Sequence, residues 1–268
     1  MIAPFSRLEK IADGFKFSEG PAPCKDGSIY FSDYGTDTIY SWSPFNGLVK
    51  FKENIGGPIG LHFDRKGNLY VCAARHHRIK VIESNGNVTE YPDRFDGKLF
   101  NSPNDIWIDS HDGVYFTDPR FAPLPEDVEQ NGHYVFYSPA GTTDIIIAAG
   151  DLNTPNGITG SPDGKFVYVT DTPVDKTFVY TVNNDRTLSE KRLFADEGYD
   201  GMTVDARGNV YITMQHSIEI YDPSGNKIES ISVPDKPTNV CFGGYDKKTL
   251  YITARSSLYS HRMSVRGY

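Results

Sequence analysis

The sequence predicts an all-β chain folded as a six-bladed β-propeller, with four antiparallel strands per blade and a ring closed by the N-terminal strand. Three observations carry this. One phrase recurs six times, as DGSIYFSD, KGNLYVCA, DGVYFTDP, DGKFVYVTD, RGNVYITM and KKTLYITA. Its tyrosines, Tyr30, Tyr70, Tyr115, Tyr168, Tyr211 and Tyr251, stand 40, 45, 53, 43 and 40 residues apart, a spacing typical of propeller blades. The last copy ends early, in SVRGY, while a spare strand-like piece, RLEKIADG, precedes the first inner strand. Pairing the two removes an open edge.

Each unit reads as four strands. In the first they are PAPCK, SIYFSD, TIYSWSP and LVKFKEN, turning at Asp26-Gly27 and Asn46-Gly47. Asx-Gly pairs supply the positive φ that tight hairpins need. Later units repeat the pattern in RIKVIES-NGN-VTEYP, YVFYSPAGTTDIIIAA, FVYTVNNDRTLSEKRLFA and IEIYDPSGNKIESISV. Tyr, Phe, Val and Ile dominate these runs and suit a pleated, half-buried surface. The 17 Tyr and 16 Phe are expected to pack between blades rather than to form a binding cage.

The 268 residues are read as one domain, 1–268. Net charge is -8, with 27 basic residues against 35 acidic, which argues against nucleic acid as a partner. No apolar run reaches the roughly 18 residues of a membrane span. The N-terminal MIAPFSRLEKIADGF lacks the apolar core of a signal peptide, so a cytoplasmic location is expected. Cys24, Cys72 and Cys241 are odd in number and fall in predicted strands, where they read as reduced packing residues.

Eleven or twelve residues before each repeat tyrosine stand Glu19, Ile59, Asn104, Asn156, Asp200 and Asn239. These positions open the innermost strands, so they converge at one end of the central channel. Two carboxylates at close range repel and need a counter-charge, which a divalent cation supplies. Carboxylate and amide oxygens without His or Cys form a hard donor set, better suited to Ca2+, Mg2+ or Mn2+ than to an ordinary zinc site. Singly, each Asn or Asp could equally cap a turn; Asn239 is read as ligand, neighbour of a ligand or substrate group. Asp33, Asp118 and Asp171 recur at the ends of second strands and read as turn hydrogen-bond acceptors, not catalysts.

The motifs SEGP at Ser18–Pro21, NSPNDI at Asn101–Ile106, YFTDPRF at Tyr115–Phe121 and PNGITGSPDGKFVYVTDT at Pro155–Thr172 together resemble one family. DGMTVDARGNVYIT at Asp200–Thr213 and PTNVCFGGYDKKTLYIT at Pro237–Thr253 extend the match across nearly the whole chain. It is similar to the senescence-marker-protein/gluconolactonase/luciferin-regenerating-enzyme family. That resemblance implies a six-bladed propeller with one divalent metal, held by Glu19, Asn156 and Asp200. Asn104 matches a position that touches the metal or binds substrate beside it. Ca2+ is the preferred ion, with Mg2+, Mn2+, Zn2+ or Fe2+ as alternatives. Regucalcin-type members carry Arg two residues before this Asn, where Ser102 stands here, which places the chain nearer the bacterial gluconolactonase-like branch.

The implied activity is hydrolysis of a sugar (aldonic acid) lactone. A bound cation polarises the carbonyl, and Asp200 is the candidate catalytic base. Asp105 is the second candidate, although a neighbouring side chain on a strand should point the other way. Loops after each second strand should surround the mouth, bringing in Arg75, His76, His77, Arg120 and Arg255. The surplus in the longest interval, RFAPLPEDVEQNGHY, reads as a lid, with Arg120 either binding substrate or pairing with Glu126 or Asp127. His76 and His77 read as solvated loop residues. Alternatives are a phosphotriesterase-like hydrolase resembling diisopropyl-fluorophosphatase on the same metal site, with Phe121, Pro123 and Leu124 as a partly apolar rim, or a non-catalytic binding propeller.

Overall fold

The computed structural model describes residues 1–121, 129–142 and 144–268. The first strand, β1 (Leu8–Pro23), is followed by β2 (Ile29–Asp33), β3 (Thr38–Ser43) and β4 (Gly47–Glu53). Next come β5 (Pro58–Phe63), β6 (Leu69–Ala73), β7 (Arg78–Ile82) and β8 (Val88–Glu90), and a short ribbon of β9 (Arg94–Phe95) and β10 (Lys98–Leu99). The third repeat gives β11 (Ile106–Ile108), β12 (Val114–Asp118), β13 (Tyr134–Ser138) and β14 (Ile146–Ala149). The fourth gives β15 (Pro155–Gly160), β16 (Phe166–Asp171), β17 (Lys176–Val182) and β18 (Leu188–Ala195). β19 (Met202–Val204), β20 (Val210–Thr213), β21 (Ser217–Tyr221) and β22 (Lys227–Ser232) precede the last pair, β23 (Asn239–Gly243) and β24 (Thr249–Arg262).

The expectation of six blades is corrected here: hydrogen bonding organises the chain as a five-bladed propeller. Four blades have four strands each, and the fifth is a six-stranded sheet ordered β23-β24-β1-β2-β3-β4. The reason lies in β1. It runs unbroken for 16 residues, so its first half pairs β24 and its second half pairs β2. The first and last repeats therefore share one sheet. That sheet presents two inner strands, β1 and β23, to the axis, beside β5, β11, β15 and β19 in chain order. The N-terminal segment joins the C-terminal one through Leu8 opposite His261, Glu9 opposite Ser260 and Asp13 opposite Ser257.

The core lies between adjacent sheets. Tyr115, Tyr168, Tyr211 and Tyr251 are buried, while Tyr30 and Tyr70 are half-buried. Tyr211 meets Phe242 edge-on across neighbouring sheets, with ring centroids 5.0 Å apart, and Tyr30 meets Phe63 at 5.1 Å in the same way. Such contacts are worth about 0.5–1.5 kcal/mol each beyond area burial. This is the aromatic packing expected of the repeats. All three cysteines are free thiols, with Cys72 and Cys241 buried. Among the described residues, no helix is long and apolar enough to cross a membrane.

Deleting residues 7–14 removes the strand segment that covers the C-terminal arm. The deletion is expected to lower the melting temperature by many degrees or to cause aggregation, as followed by light scattering and thermal unfolding. A monomeric variant with an unchanged transition would show that this pairing does not hold the ring together.

Candidate functional site

Local backbone geometry places the site residues before their side chains do anything. Asp33, at the end of β2, accepts hydrogen bonds from the amides of Lys16 (3.1 Å) and Phe17 (2.8 Å), just ahead of Glu19. Asp118, at the end of β12, accepts from Asn101 and Ser102, both at 2.8 Å, ahead of Asn104. Asp171, at the end of β16, accepts from Asn153 (2.9 Å) and Thr154 (2.8 Å), ahead of Asn156. In all three repeats the clamp grips the residues three and two positions before the site residue. These aspartates are structural acceptors, as their recurrence in the sequence suggests.

The residue before each clamp carries a buried hydroxyl that reaches the next repeat. Ser32 Oγ donates to Ile59 O at 2.7 Å, Thr117 Oγ1 to Asn156 O at 2.7 Å, and Thr170 Oγ1 to Asp200 O at 2.8 Å. Thr238 Oγ1 donates to Ser18 O at 2.7 Å, linking the last inner strand to the first. The inner strands approach so closely that a Cβ on Gly60 would lie 2.6 Å from Asn104 O, and one on Gly157 would overlap the carbonyl oxygen of Asp200. Neither position can carry a larger residue without the backbone moving.

The result is a cluster of acids and amides at the channel mouth. Glu19, Asn104, Asp105, Asn156 and Asn239 are buried, and Asp200 is half-buried. Burial pushes Glu19 well above the usual carboxylate range, and the charges of Asp200 and Asp105 push it further. Asp200 is likewise raised, by burial first and then by Asp105, against the opposing pull of Lys236, Asn156 and Arg255. Burial raises Asp105 to about 6, although it accepts from the amides of Ile106 and Ile158 and from Asn239. Three acids that mutually resist ionisation in one place form a site that favours positive charge.

The amides complete the donor set. Asn156 Nδ2 donates to Thr172 Oγ1 at 3.0 Å, and Thr172 Oγ1 in turn donates to Tyr199 O at 3.0 Å. That bond holds the Asn156 amide in one orientation and leaves its Oδ1 buried with no hydrogen-bond partner among the described residues. An unmatched buried acceptor beside two crowded carboxylates fits a hard divalent cation. Glu19, Asp200 and Asn156 would hold it. Among the described residues there is no group of three or more His, Cys, Asp or Glu that could hold a metal ion.

Asn239 has another task. Its Oδ1 accepts from its own Val240 amide at 2.8 Å, and its Nδ2 points to Asp105 Oδ2 at 3.4 Å. One lone pair of its oxygen is thereby used, as the Gly20 amide uses one on Glu19 Oε2 at 3.0 Å. Asp105 does not point away from the cluster, because it precedes β11, where strand alternation is not enforced. Its side chain instead faces a channel cavity of about 110 Å3 behind the mouth, shared with His62, Trp107, Asn239 and Tyr268. Ile59 contributes only its backbone.

The rim is mixed. Arg75 stacks on Tyr34 at 4.1 Å and donates to Tyr34 O at 2.8 Å, and His77 Nδ1 contacts Asn101 O at 2.6 Å, so both shape loops. Arg120 donates to Gln130 O, and its Nε is buried without a hydrogen-bond partner among the described residues. No hydrogen bond links Arg120 to the acid–amide cluster among those residues. Of the expected lid, Pro123, Leu124, Glu126 and Asp127 lie outside the described residues. Sequence reading missed Lys236, which stands over the Tyr199 ring at 3.3 Å. Its position three residues before Asn239, in the loop leading to an inner strand, was the available signal.

A model of the SMP-30/Gluconolactonase/LRE-like region matches residues 17–256. The chain is 30% identical to a gluconolactonase of Zymomonas mobilis subsp. mobilis, over 97% of this chain and 82% of that one. It is 23% identical to a pentonolactonase of Haloferax volcanii, over 89% of this chain and 81% of that one. A solved gluconolactonase from Xanthomonas campestris superposes with a TM-score of 0.91 at 26% identity, covering 97% of this chain and 90% of that one.

Two outcomes follow from this geometry. Asp171→Ala leaves the amides of Asn153 and Thr154 without their acceptor and should cost roughly 2–4 kcal/mol. Denaturant unfolding measures this, and an unchanged midpoint would remove the clamp. The second concerns pH. A carboxyl whose folded pKa is raised contributes most at low pH, and that contribution is lost as pH climbs from the ordinary carboxylate range through the folded value. Glu19 and Asp200 are raised, with Asp105 at about 6 and Asp118 at about 7. Chelated protein should therefore melt at a higher temperature near pH 5.5 than near pH 8, by roughly several degrees. A divalent ion should flatten the difference. Chelated protein that melts higher at the alkaline end would contradict the assignment.

Proposed function

The chain belongs to the SMP-30/Gluconolactonase/LRE-like family, and from that premise we propose that it is a divalent-metal-dependent lactonase opening a sugar (aldonic acid) lactone of the gluconolactone type. The observation that carries the metal reading is the unpartnered buried Oδ1 of Asn156 beside the raised carboxyls of Glu19 and Asp200. The oxygen-only donor set favours Ca2+. A bound cation would supply Lewis acidity toward the lactone carbonyl oxygen and the positive charge that keeps both carboxylates ionised.

The chain's own groups then do the rest. Glu19 and Asn156 hold their oxygens toward the mouth, with Asn156 locked by Thr172. Asp200, the half-buried acid of the cluster, is open to an incoming water. It takes a proton from that water as the water oxygen bonds to the acyl carbon. The acyl carbon–ring oxygen bond then breaks, and the proton passes to the ring oxygen, giving the hydroxy acid. Asn104 is placed to hydrogen-bond substrate hydroxyls. Arg120 is a further candidate for substrate contact through its unpartnered Nε. A mouth carrying Thr172, Lys236 and Arg255 suits lactone hydroxyls better than an apolar organophosphate.

Acid release from glucono-1,5-lactone is expected to stop with a chelator and return with a divalent ion. Asp200→Asn should lower kcat by about 100-fold or more with the ion saturating. Near wild-type turnover in that variant would show that Asp200 is not the base. Activity that resists exhaustive chelation would remove the metal.

A further inference from the structure

Two cations at the mouth make no salt bridge with an acid among the described residues. Lys236 lies against the ring of Tyr199, the residue before Asp200, with Nζ 3.3 Å from the ring centroid. Arg255 stands opposite Ser18, the residue before Glu19, in the pairing of β24 with β1. Neither forms an ion pair among the described residues, whereas nearby acids are already engaged. Asp235, next to Lys236 in the chain, accepts from Ser257 Oγ and Tyr259 OH, both at 2.8 Å. Glu197 pairs with Lys227 at 3.3 Å, and Asp196 with Lys176 at 2.9 Å. Arg255 is exposed and holds φ 51°, a left-handed backbone that arginine adopts uncommonly.

Charge counting at the mouth shows what is left over. Asn239 stands opposite Thr253 in the β23–β24 pair, so Lys236, before Asn239, and Arg255, after Thr253, both lie at the mouth end of that pair. A divalent ion on Glu19 and Asp200 would neutralise those two acids. Of the charges that remain, Lys236 and Arg255 outnumber Asp105, which lines the channel cavity. The whole chain carries -8 and repels anions at long range. Two unpaired cations placed side by side with the reacting centre reverse that field locally. An ammonium held on an aromatic face and a guanidinium on a left-handed position of β24 are suited to an oxyanion.

We infer that Lys236 and Arg255 form an anion-binding subsite, and that the lactone taken here carries a second, negatively charged group remote from its carbonyl. The inference rests on the lactonase reading and adds the substrate class to it. A carboxylate and a phosphate share this chemistry, and the experiment separates them.

The test compares wild type, Lys236→Gln, Arg255→Gln and the double variant on three substrates. These are neutral glucono-1,5-lactone, glucaro-1,4-lactone with a carboxylate, and 6-phosphogluconolactone with a phosphate. Wild type is expected to prefer at least one anionic lactone in kcat/KM, and the preferred one identifies the group. Each single substitution should reduce the anionic-to-neutral ratio by about ten-fold, and added salt should reduce it in wild type. Melting temperatures confirm that the variants fold. Equal losses on all three substrates would mean that the cations only balance Glu19 and Asp200, and would overturn the subsite. So would a wild type that does not discriminate. Calorimetry with glucitol 6-phosphate against glucitol, using Ca2+-loaded protein, is independent of turnover. Tighter binding of the phosphate that the double variant loses would sustain the subsite even if no lactone is hydrolysed, in which case only the lactonase reading fails. Equal binding of the two polyols, with no preference for either anionic lactone, would overturn it.

Discussion

Close approach of the inner strands around the axis is the constraint on which the other features depend. At Gly157 and Gly60 the neighbouring backbone occupies the space a side chain would need. Strands brought this near must have their carbonyls and amides satisfied, because water cannot enter. The hydroxyls of Ser32, Thr117, Thr170 and Thr238 do this from one repeat to the next, and the carboxylates of Asp33, Asp118 and Asp171 do it within a repeat. The polar side chains at the mouth are thus aimed by buried hydrogen bonds that their own chemistry does not consume.

The same closeness creates the electrostatic problem that the site turns to use. Burial raises the proton affinity of Glu19, Asp105 and Asp200, and the charge of Asp105 adds to it at Glu19 and Asp200. Without a cation the arrangement costs stability at neutral pH. A divalent ion bound as proposed would relieve that cost and link metal affinity to folding stability through the same carboxylates. Asn156 shows the complementary feature. Its amide nitrogen is bonded and its oxygen is not, which costs little only if something positive occupies the mouth.

Much of the site was legible in the sequence because the repeat has a phase. Glu19, Asn104, Asn156 and Asp200 stand at matching distances before the repeat tyrosines. Equivalent positions on equivalent strands must meet at the axis, whatever the details of each strand. Asn239 shares the phase, but unlike Asn156 it has a hydrogen bond at both amide atoms. Phase reports where a residue is, and hydrogen-bond partners decide what it offers. Asp105 and Lys236 stood outside the repeat phase, one in the irregular stretch before β11 and the other in a loop, so only their nearness in sequence to Asn104 and Asn239 pointed to them.

What the chain by itself determined was the all-β class, the four-strand rhythm of its repeats, the aromatic packing and the convergence of oxygen donors. These are local and periodic properties, written as alternation, turn residues and spacing. Tertiary structure alone decided how the ends are joined. Six repeats became five blades because β1 is continuous and shares its two halves between β24 and β2. That choice depends on hydrogen bonds between residues about 250 positions apart, such as Leu8 and His261, which no local pattern encodes. Long-range proximity likewise set the surroundings of Asp200, where Lys236 and Arg255 meet it from different segments of the chain.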